Sequence, residues 1–171
     1  MSDTDAILVE RCRTGDRAAF EALVTAHLPR LRAIAVAVVR NQAQTDDVVQ
    51  ETFFKAWTRI GQLTDSAGFA AWIACIARNE ALSALRRSLV GRNTSIEGLE
   101  VVVPQGDEPD PRLAALRLAL ATLKPEYREI LALRYDANLD YPAIGDTLGI
   151  AVANVEKRLY RARQALLAAM S

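Results

Sequence analysis

The sequence predicts an all-α protein: two small helical domains joined by a flexible acidic linker, the second containing a helix-turn-helix. Three observations carry this. Apolar residues recur at three- and four-residue intervals over most of the chain, and no stretch before residue 90 alternates in the manner of a strand. Glycines, prolines and acids crowd between residues 90 and 111 and cut the helical pattern in two. The expected organisation is a helical unit over 1–90, a linker over 91–111 and a helix-turn-helix unit over 112–171. With 171 residues, the chain has room for one domain or two small ones, at roughly 150 residues per domain.

Residues 6–13 predict a short helix closed at Gly15, and Asp16 caps a second helix over 17–40. There Phe20, Leu23, Val24, Leu28, Leu31, Ile34, Ala35 and Val38 share one face, and Pro29 bends or divides it. Asp46 and Asp47 favour the amino terminus of a third helix, where carboxylates meet the positive end of the dipole. Val49, Phe53, Ala56, Trp57 and Ile60 then run down one side until Gly61 stops the pattern. Residues 62–68 read as a loop. From Phe69 a long amphipathic helix carries Trp72, Ile73, Ile76, Ala77, Leu82 and Leu85 inward and ends near Arg86 and Arg87.

The linker holds Gly91, Gly98, Pro104, Gly106, Pro109 and Pro111, with Glu97, Glu100, Asp107, Glu108 and Asp110 making it acidic after Arg92. Its run of three valines, 101–103, is the one stretch suited to strand pairing or to docking on a neighbour, and three residues cannot support a sheet alone. Helical spacing returns at Leu113, Leu116, Leu120 and Leu123, breaks at Pro125, and resumes through Tyr127, Ile130, Leu131, Leu133 and Arg134. Pro142 opens a helix where its missing N–H costs nothing, Gly149 closes it, and a final helix runs over 152–169.

Composition narrows the function. The 21 Lys and Arg balance 21 Asp and Glu, so any polyanion binding must come from local clustering. Two distant cysteines, Cys12 and Cys75, and the single His27 exclude a disulfide scaffold and a closed Cys/His zinc site, and no other metal or cofactor is expected. Cys75 reads as a small core residue and His27 as a surface or half-buried structural one. The paired Glu-x-x-His motifs of a di-iron bundle, a glycine-rich phosphate loop and a nucleophile elbow are all missing, so the chain is not expected to be an enzyme. The longest apolar run, 33–39, falls far short of the roughly 18 residues of a membrane span. Asp3, Asp5 and Glu10 occupy a start that lacks the basic and apolar parts of a secretion signal, so a cytoplasmic protein without membrane attachment is expected.

The stretch 141–159 has helix-turn-helix spacing. Ile144 and Leu148 face the core from its first helix, Gly145 is small where the second helix crosses, and Gly149 takes the positive-φ turn. Ile150, Val152, Val155 and Leu159 bury the second helix. Ala153, Asn154, Lys157, Arg158 and Arg161 remain outward, with Arg163 further along, giving a small polar front end for a major groove and cations for phosphates or guanine edges. Four phosphate contacts by Lys157, Arg158, Arg161 and Arg163 give a salt slope of only about −3.6. The unit therefore needs a second DNA contact or a large partner.

Four segments carry a family resemblance: DDVVQETFFKAW over 46–57, FAAWIACIARN over 69–79, LKPEYRE over 123–129 and RLYRAR over 158–163. In this order they resemble the sigma factors of bacterial RNA polymerase, in particular the extracytoplasmic-function (ECF) group of the sigma-70 family. The resemblance implies a region 2-like unit over 1–90 that binds core polymerase and recognises and melts the minus-10 element, and a region 4-like unit over 112–171 that reads the minus-35 element. It implies that Asp46, Asp47, Val49, Gln50, Glu51 and Phe53 dock on the clamp helices of the polymerase β′ subunit, with Trp57 and one of Phe53 and Phe54 in the core. Arg59, Leu63, Thr64, Ser66, Asn79, Ser83, Arg86 and Arg87 become the minus-10 DNA residues, around a flipped non-template base whose extrusion costs a few kcal/mol. Phe69 and Trp72 are packing residues. Ala153, Asn154, Lys157, Arg158, Arg161 and Arg163 become the minus-35 DNA residues, on a domain that also meets the β flap. The implied partners are core RNA polymerase, promoter DNA and an anti-sigma factor. A linker of roughly 19 residues spans about 60 Å extended, enough to reach sites about two DNA turns apart. Ala70, Ala74 and Cys75, and Glu156 in the recognition helix, depart from the family's bulkier or more basic pattern and bear on promoter preference.

Two alternatives stand beside this reading. A sigma-like decoy that sequesters an anti-sigma factor suits Ala74, Glu156 and the neutral charge, and it predicts polymerase binding without promoter opening. A stand-alone helix-turn-helix regulator predicts specific duplex binding without polymerase.

Overall fold

The computed structural model describes residues 3–91 and 110–170, and every regular element among them is helical. The amino-terminal unit comprises α1 (Asp3–Arg13), α2 (Arg17–Val39), α3 (Gln42–Arg59) and α4 (Phe69–Gly91), with single 3₁₀ turns at Ile60–Gln62 and Ser66–Gly68 joining the last two. The carboxy-terminal unit comprises α5 (Pro111–Thr122), α6 (Pro125–Leu131), a π turn over Ala132–Asp136, α7 (Tyr141–Leu148) and α8 (Val152–Met170). The linker expected over 91–111 lies mostly outside the described residues, as does its three-valine run.

Local chemistry sets these boundaries. The Asp16 carboxylate accepts from the Ala19 amide at 3.1 Å and starts α2. Pro29 sits inside one unbroken α2; the carbonyl it leaves without a donor belongs to exposed Thr25, where water can replace the lost bond. The start of α3 differs from the sequence expectation: Asn41 caps it by accepting from the Gln44 amide at 3.0 Å, so Asp46 and Asp47 fall in the second turn. Pro111, Pro125 and Pro142 each occupy a first-turn position, where no amide is needed.

Leu23, Leu31, Ile34, Phe69 and Ile73 are fully buried in the amino-terminal unit, and Ile130, Leu133, Ile144, Val155 and Leu159 in the other. Each such side chain contributes about 1.5–3 kcal/mol through its burial. An 18-residue window of α2 has a mean hydropathy of 1.5, long and apolar enough by composition to cross a membrane, contrary to the sequence expectation. Nine of the 23 residues of α2 are buried against neighbouring helices, so this apolarity serves the protein core. His27, expected at or near the surface, is 2% exposed; its Nε2 lies 3.1 Å from the Asp5 carboxylate and its ring 5.2 Å from that of Phe69. Burial pulls its pKa down, more strongly than the Asp5 carboxylate raises it. Cys75, expected in the core, is only half-buried and accepts from the Asn79 amide at 3.7 Å.

The two units pack on each other. α6 and the π turn lie against α2, and α7 lies against α4. The Arg78 Nε donates to the Glu129 carboxylate at 2.7 Å. Arg128 is buried, and among the described residues two carbonyls and no carboxylate meet it: its Nε donates to the Ala37 carbonyl at 3.3 Å and its Nη1 to that of Leu123 at 2.5 Å. Desolvation, reinforced by the nearby Arg40 charge, lowers its pKa to about 10. Between α2, α5, α6 and α8 the packing leaves an apolar groove of about 660 Å³, with Val36, Leu116, Leu120 and Leu131 among its walls.

Candidate polymerase and nucleic-acid interface

On α3 the residues expected to meet a protein partner divide between two faces. Asp46, Asp47, Gln50 and Glu51 are exposed, whereas Val49 is buried in the core. Phe53 also turns inward, 6.4 Å from Phe20 and at right angles to it, and Trp57 packs 4.9 Å from the same ring. Phe54 is the aromatic residue that stands out, 63% exposed. Positions 47, 50, 51 and 54 follow the i, i+3, i+4, i+7 rule for one helical face, so the signal for Phe54 was present in the spacing. Asp46 is held by Arg32 at 2.7 Å. Lys55 sits 2.7 Å from Glu80 and 3.3 Å from Glu51, and those hydrogen bonds raise its pKa. Beside it, Gln44, Asp47, Glu51, Glu80 and Arg87 line a polar cleft between α3 and α4.

The second set of residues forms two patches. Thr64 is exposed at the tip of the loop between the 3₁₀ turns and Arg59 is exposed at the end of α3, while Leu63 is 8% exposed and its side chain belongs to the core. Ser66 is half-buried, its hydroxyl donated to the Glu10 carboxylate. Asn79, Ser83, Arg86 and Arg87 make a separate stripe along α4, beginning about 15 Å from that helix's start by helical rise. Asn79, Arg86 and Arg87 are exposed; the Ser83 hydroxyl donates to the Asn79 carbonyl at 2.8 Å. Phe69 is fully buried and Trp72, half-buried, lies 5.9 Å from it, so both act in packing.

The helix-turn-helix is built as its glycines require. Gly149 adopts φ 67° and closes α7, and Gly145 passes so near the following turn that a Cβ there would meet the Ile150 carbonyl oxygen at 2.8 Å. Val155, Leu159 and Ala162 bury α8, whereas Val152, expected to be buried, is 42% exposed at its first turn. Ala153, Asn154, Lys157 and Arg161 share the exposed face, with Arg158 half-buried at its edge. Arg163 lies on another flank: its Nε donates to the Tyr135 hydroxyl at 2.8 Å, the main reason its pKa is raised. At 100° per residue Arg163 falls far from Lys157 around the helix, whereas Tyr160, 64% exposed, falls beside it.

An exposed acidic and apolar face on α3, a polar stripe on α4 and a cationic helix-turn-helix occur here in one chain. The Sigma-70 region 2 family model matches residues 23–89, and the Sigma-70 region 4 model matches residues 113–166. ECF RNA polymerase sigma factor SigL of Mycobacterium tuberculosis is 35% identical over 168 residues, covering 92% of each chain. The chain belongs to the ECF group of the sigma-70 family. The probable RNA polymerase sigma factor RfaY of Xanthomonas campestris is 34% identical over 160 residues; the alignment covers 87% of this sigma factor and only 40% of the length of RfaY. In the solved structures, this sigma factor is similar to RpoE, bound to the anti-sigma factor NepR from Bartonella quintana, with a TM-score of 0.74 and 26% identity over 88% of this chain and 96% of that one.

Proposed function

We propose that this sigma factor directs promoter-specific initiation by docking α3 on core RNA polymerase, opening the minus-10 element with the 62–68 loop and α4, and reading the minus-35 element with α8. The observation that carries this reading is the division of faces: the same helices that close the core with Val49, Phe53, Val155 and Leu159 leave Asp47, Gln50, Glu51, Asn154, Lys157 and Arg161 outward. Asp46, Asp47, Gln50, Glu51 and Phe54 form the polymerase face. Thr64, Asn79, Arg86 and Arg87 meet the minus-10 element, with Arg59 at the margin. Ala153, Asn154, Lys157, Arg158 and Arg161 meet the minus-35 element. No covalent bond is made or broken by the protein; binding energy from both contacts offsets the few kcal/mol of base extrusion.

Two elements about two turns apart are separated by about 68 Å, so the docked units must part before both engage DNA. The roughly 60 Å of extended linker and the widths of the two units together supply the reach. The anti-sigma factor on RpoE and the apolar interdomain groove of this chain both support an anti-sigma partner that acts on the docked state. The test is permanganate mapping of promoter DNA with purified core polymerase. Unpaired thymines in the minus-10 element only when both proteins are present support the reading. Polymerase binding without opening favours the decoy, and specific duplex binding without polymerase favours the stand-alone regulator.

A further inference from the structure

The loop at the start of α4 contains two hydrogen-bonded pieces. The Leu63 amide donates to the Ile60 carbonyl at 3.3 Å on one side. On the other, Gly68 and Ala67 donate to the Asp65 carbonyl and carboxylate, each at 3.0 Å. Among the described residues no hydrogen bond of the loop itself ties the first piece to the second, and Thr64 is the joint between them. The tie comes from α1. The Arg13 guanidinium donates to the Leu63 carbonyl, the Glu10 carboxylate accepts the Ser66 hydroxyl, and Arg13 Nη1 and Glu10 Oε1 bind each other at 2.8 Å. One ion pair on one helical turn thus grips both sides of Thr64. Its helix is anchored in turn: Val9 and Cys12 are buried, Asp5 reaches buried His27 at 3.1 Å, and Arg11 meets Asp16 at 2.8 Å. The Ser66 hydrogen bond, ahead of the Arg13 charge, holds the Glu10 carboxyl below its usual range.

We propose that Glu10 and Arg13 are positioning residues that fix the geometry of the Thr64 loop and thereby set base selectivity at the minus-10 element. The inference rests on the reading that this loop meets minus-10 DNA. An exposed ion pair contributes little to global stability, so its loss leaves the fold in place and frees only the loop. A loop with more accessible states discriminates less between bases, because it can shift to relieve the misfit of a wrong base that a held loop cannot escape.

The experiment uses the full chain with purified core polymerase, transcribing a promoter library randomised across the minus-10 element. Glu10→Ala and Arg13→Ala each lower minus-10 discrimination by about tenfold, the worth of one hydrogen bond to a charged group. Core affinity and minus-35 preference stay at the parent values. Ser66→Ala matches Glu10→Ala, the double variant loses no more than either, and Glu10→Gln, whose amide oxygen still accepts the hydroxyl, restores most of the selectivity. Unchanged minus-10 selection in Glu10→Ala and Arg13→Ala overturns the proposal. So does failure of Glu10→Gln to rescue, additive loss in the double variant, or a parallel loss of core binding. Thr64→Ala separates the two levels of the argument: if it alters minus-10 selection while the α1 variants do not, the brace alone falls. If it changes nothing, the loop reading falls and takes the brace with it.

Discussion

Replacing Gly145 by alanine tests the helix-turn-helix packing most sharply. The added methyl meets the Ile150 carbonyl oxygen at 2.8 Å, and ordinary contact at 3.4 Å requires the turn to retreat by about 0.6 Å. The turn is not free to do so, because the Ile150 amide donates to the Gly145 carbonyl at 3.0 Å and Val155 lies behind, 3.8 Å from the new atom. Overpacking of this kind costs about 1–3 kcal/mol, and distortion of the Ile150 hydrogen bond adds about 0.5–1.5 kcal/mol. Alanine returns about 0.5–1 kcal/mol through its helix propensity. The net expectation is a destabilisation of about 2 kcal/mol, or roughly 4–8 °C in Tm for a chain of this size. Gly61→Ala, whose Cβ meets open space, is the control and changes stability by less than about 0.5 kcal/mol. Thermal and urea unfolding followed by circular dichroism read both variants. A Gly145→Ala protein as stable as the parent refutes the claim that glycine is there for close approach.

With Arg163 committed to Tyr135, three cations remain for DNA, and the minus-35 contribution to the salt slope falls to about −2.7. Alanine at Lys157, Arg158 or Arg161 reduces the slope of promoter binding by about 1 each, whereas Arg163→Ala leaves it unchanged; filter binding of the polymerase complex across salt concentrations checks this. His27 is held neutral by burial, with its folded pKa below the unfolded 6.5. The unfolded chain therefore binds the extra proton first, and stability falls as pH drops below about 6.5 through the folded value. His27→Gln flattens that part of the stability profile in urea unfolding measured from pH 7.5 to 5. Glu129→Lys replaces the 2.7 Å ion pair with Arg78 by repulsion, and the unsatisfied, part-buried guanidinium loosens the docked units by about 1–3 kcal/mol. Small-angle scattering records a larger radius of gyration, and an unchanged value contradicts a role for the Arg78–Glu129 pair in holding the units together.

Much of the fold is legible because helices announce themselves through spacing and caps. Asp16, Gly145 and Gly149 did what their types require, and the apolar stripes of α2, α4 and α8 close the two cores. The misplaced residues share a cause, which is that the deciding partner is distant in sequence or the angle was not followed far enough. His27 is buried because Asp5 on another helix satisfies it, and nothing near position 27 signals this. Arg128 is satisfied by two carbonyls, one of them 91 residues away, an arrangement without a sequence pattern. By contrast, Phe54 against Phe53 and Arg163 against Tyr160 follow from helical geometry alone. The docking of the two units was not legible at all, since its polar contacts join groups far apart in sequence: Arg78 with Glu129, Arg128 with the Ala37 carbonyl, and Arg40 with the Ala121 carbonyl at 3.2 Å.

The most direct measurement is in vitro transcription selection: core polymerase, with and without this chain, copying a promoter library randomised at both expected elements, with the transcripts sequenced. The account predicts enrichment of two motifs about two helical turns apart, the upstream one lost in a Lys157→Ala/Arg161→Ala variant and the downstream one altered by Thr64→Ala. Transcripts no more selective than those of core enzyme alone, or a single motif indifferent to both sets of substitutions, contradict it.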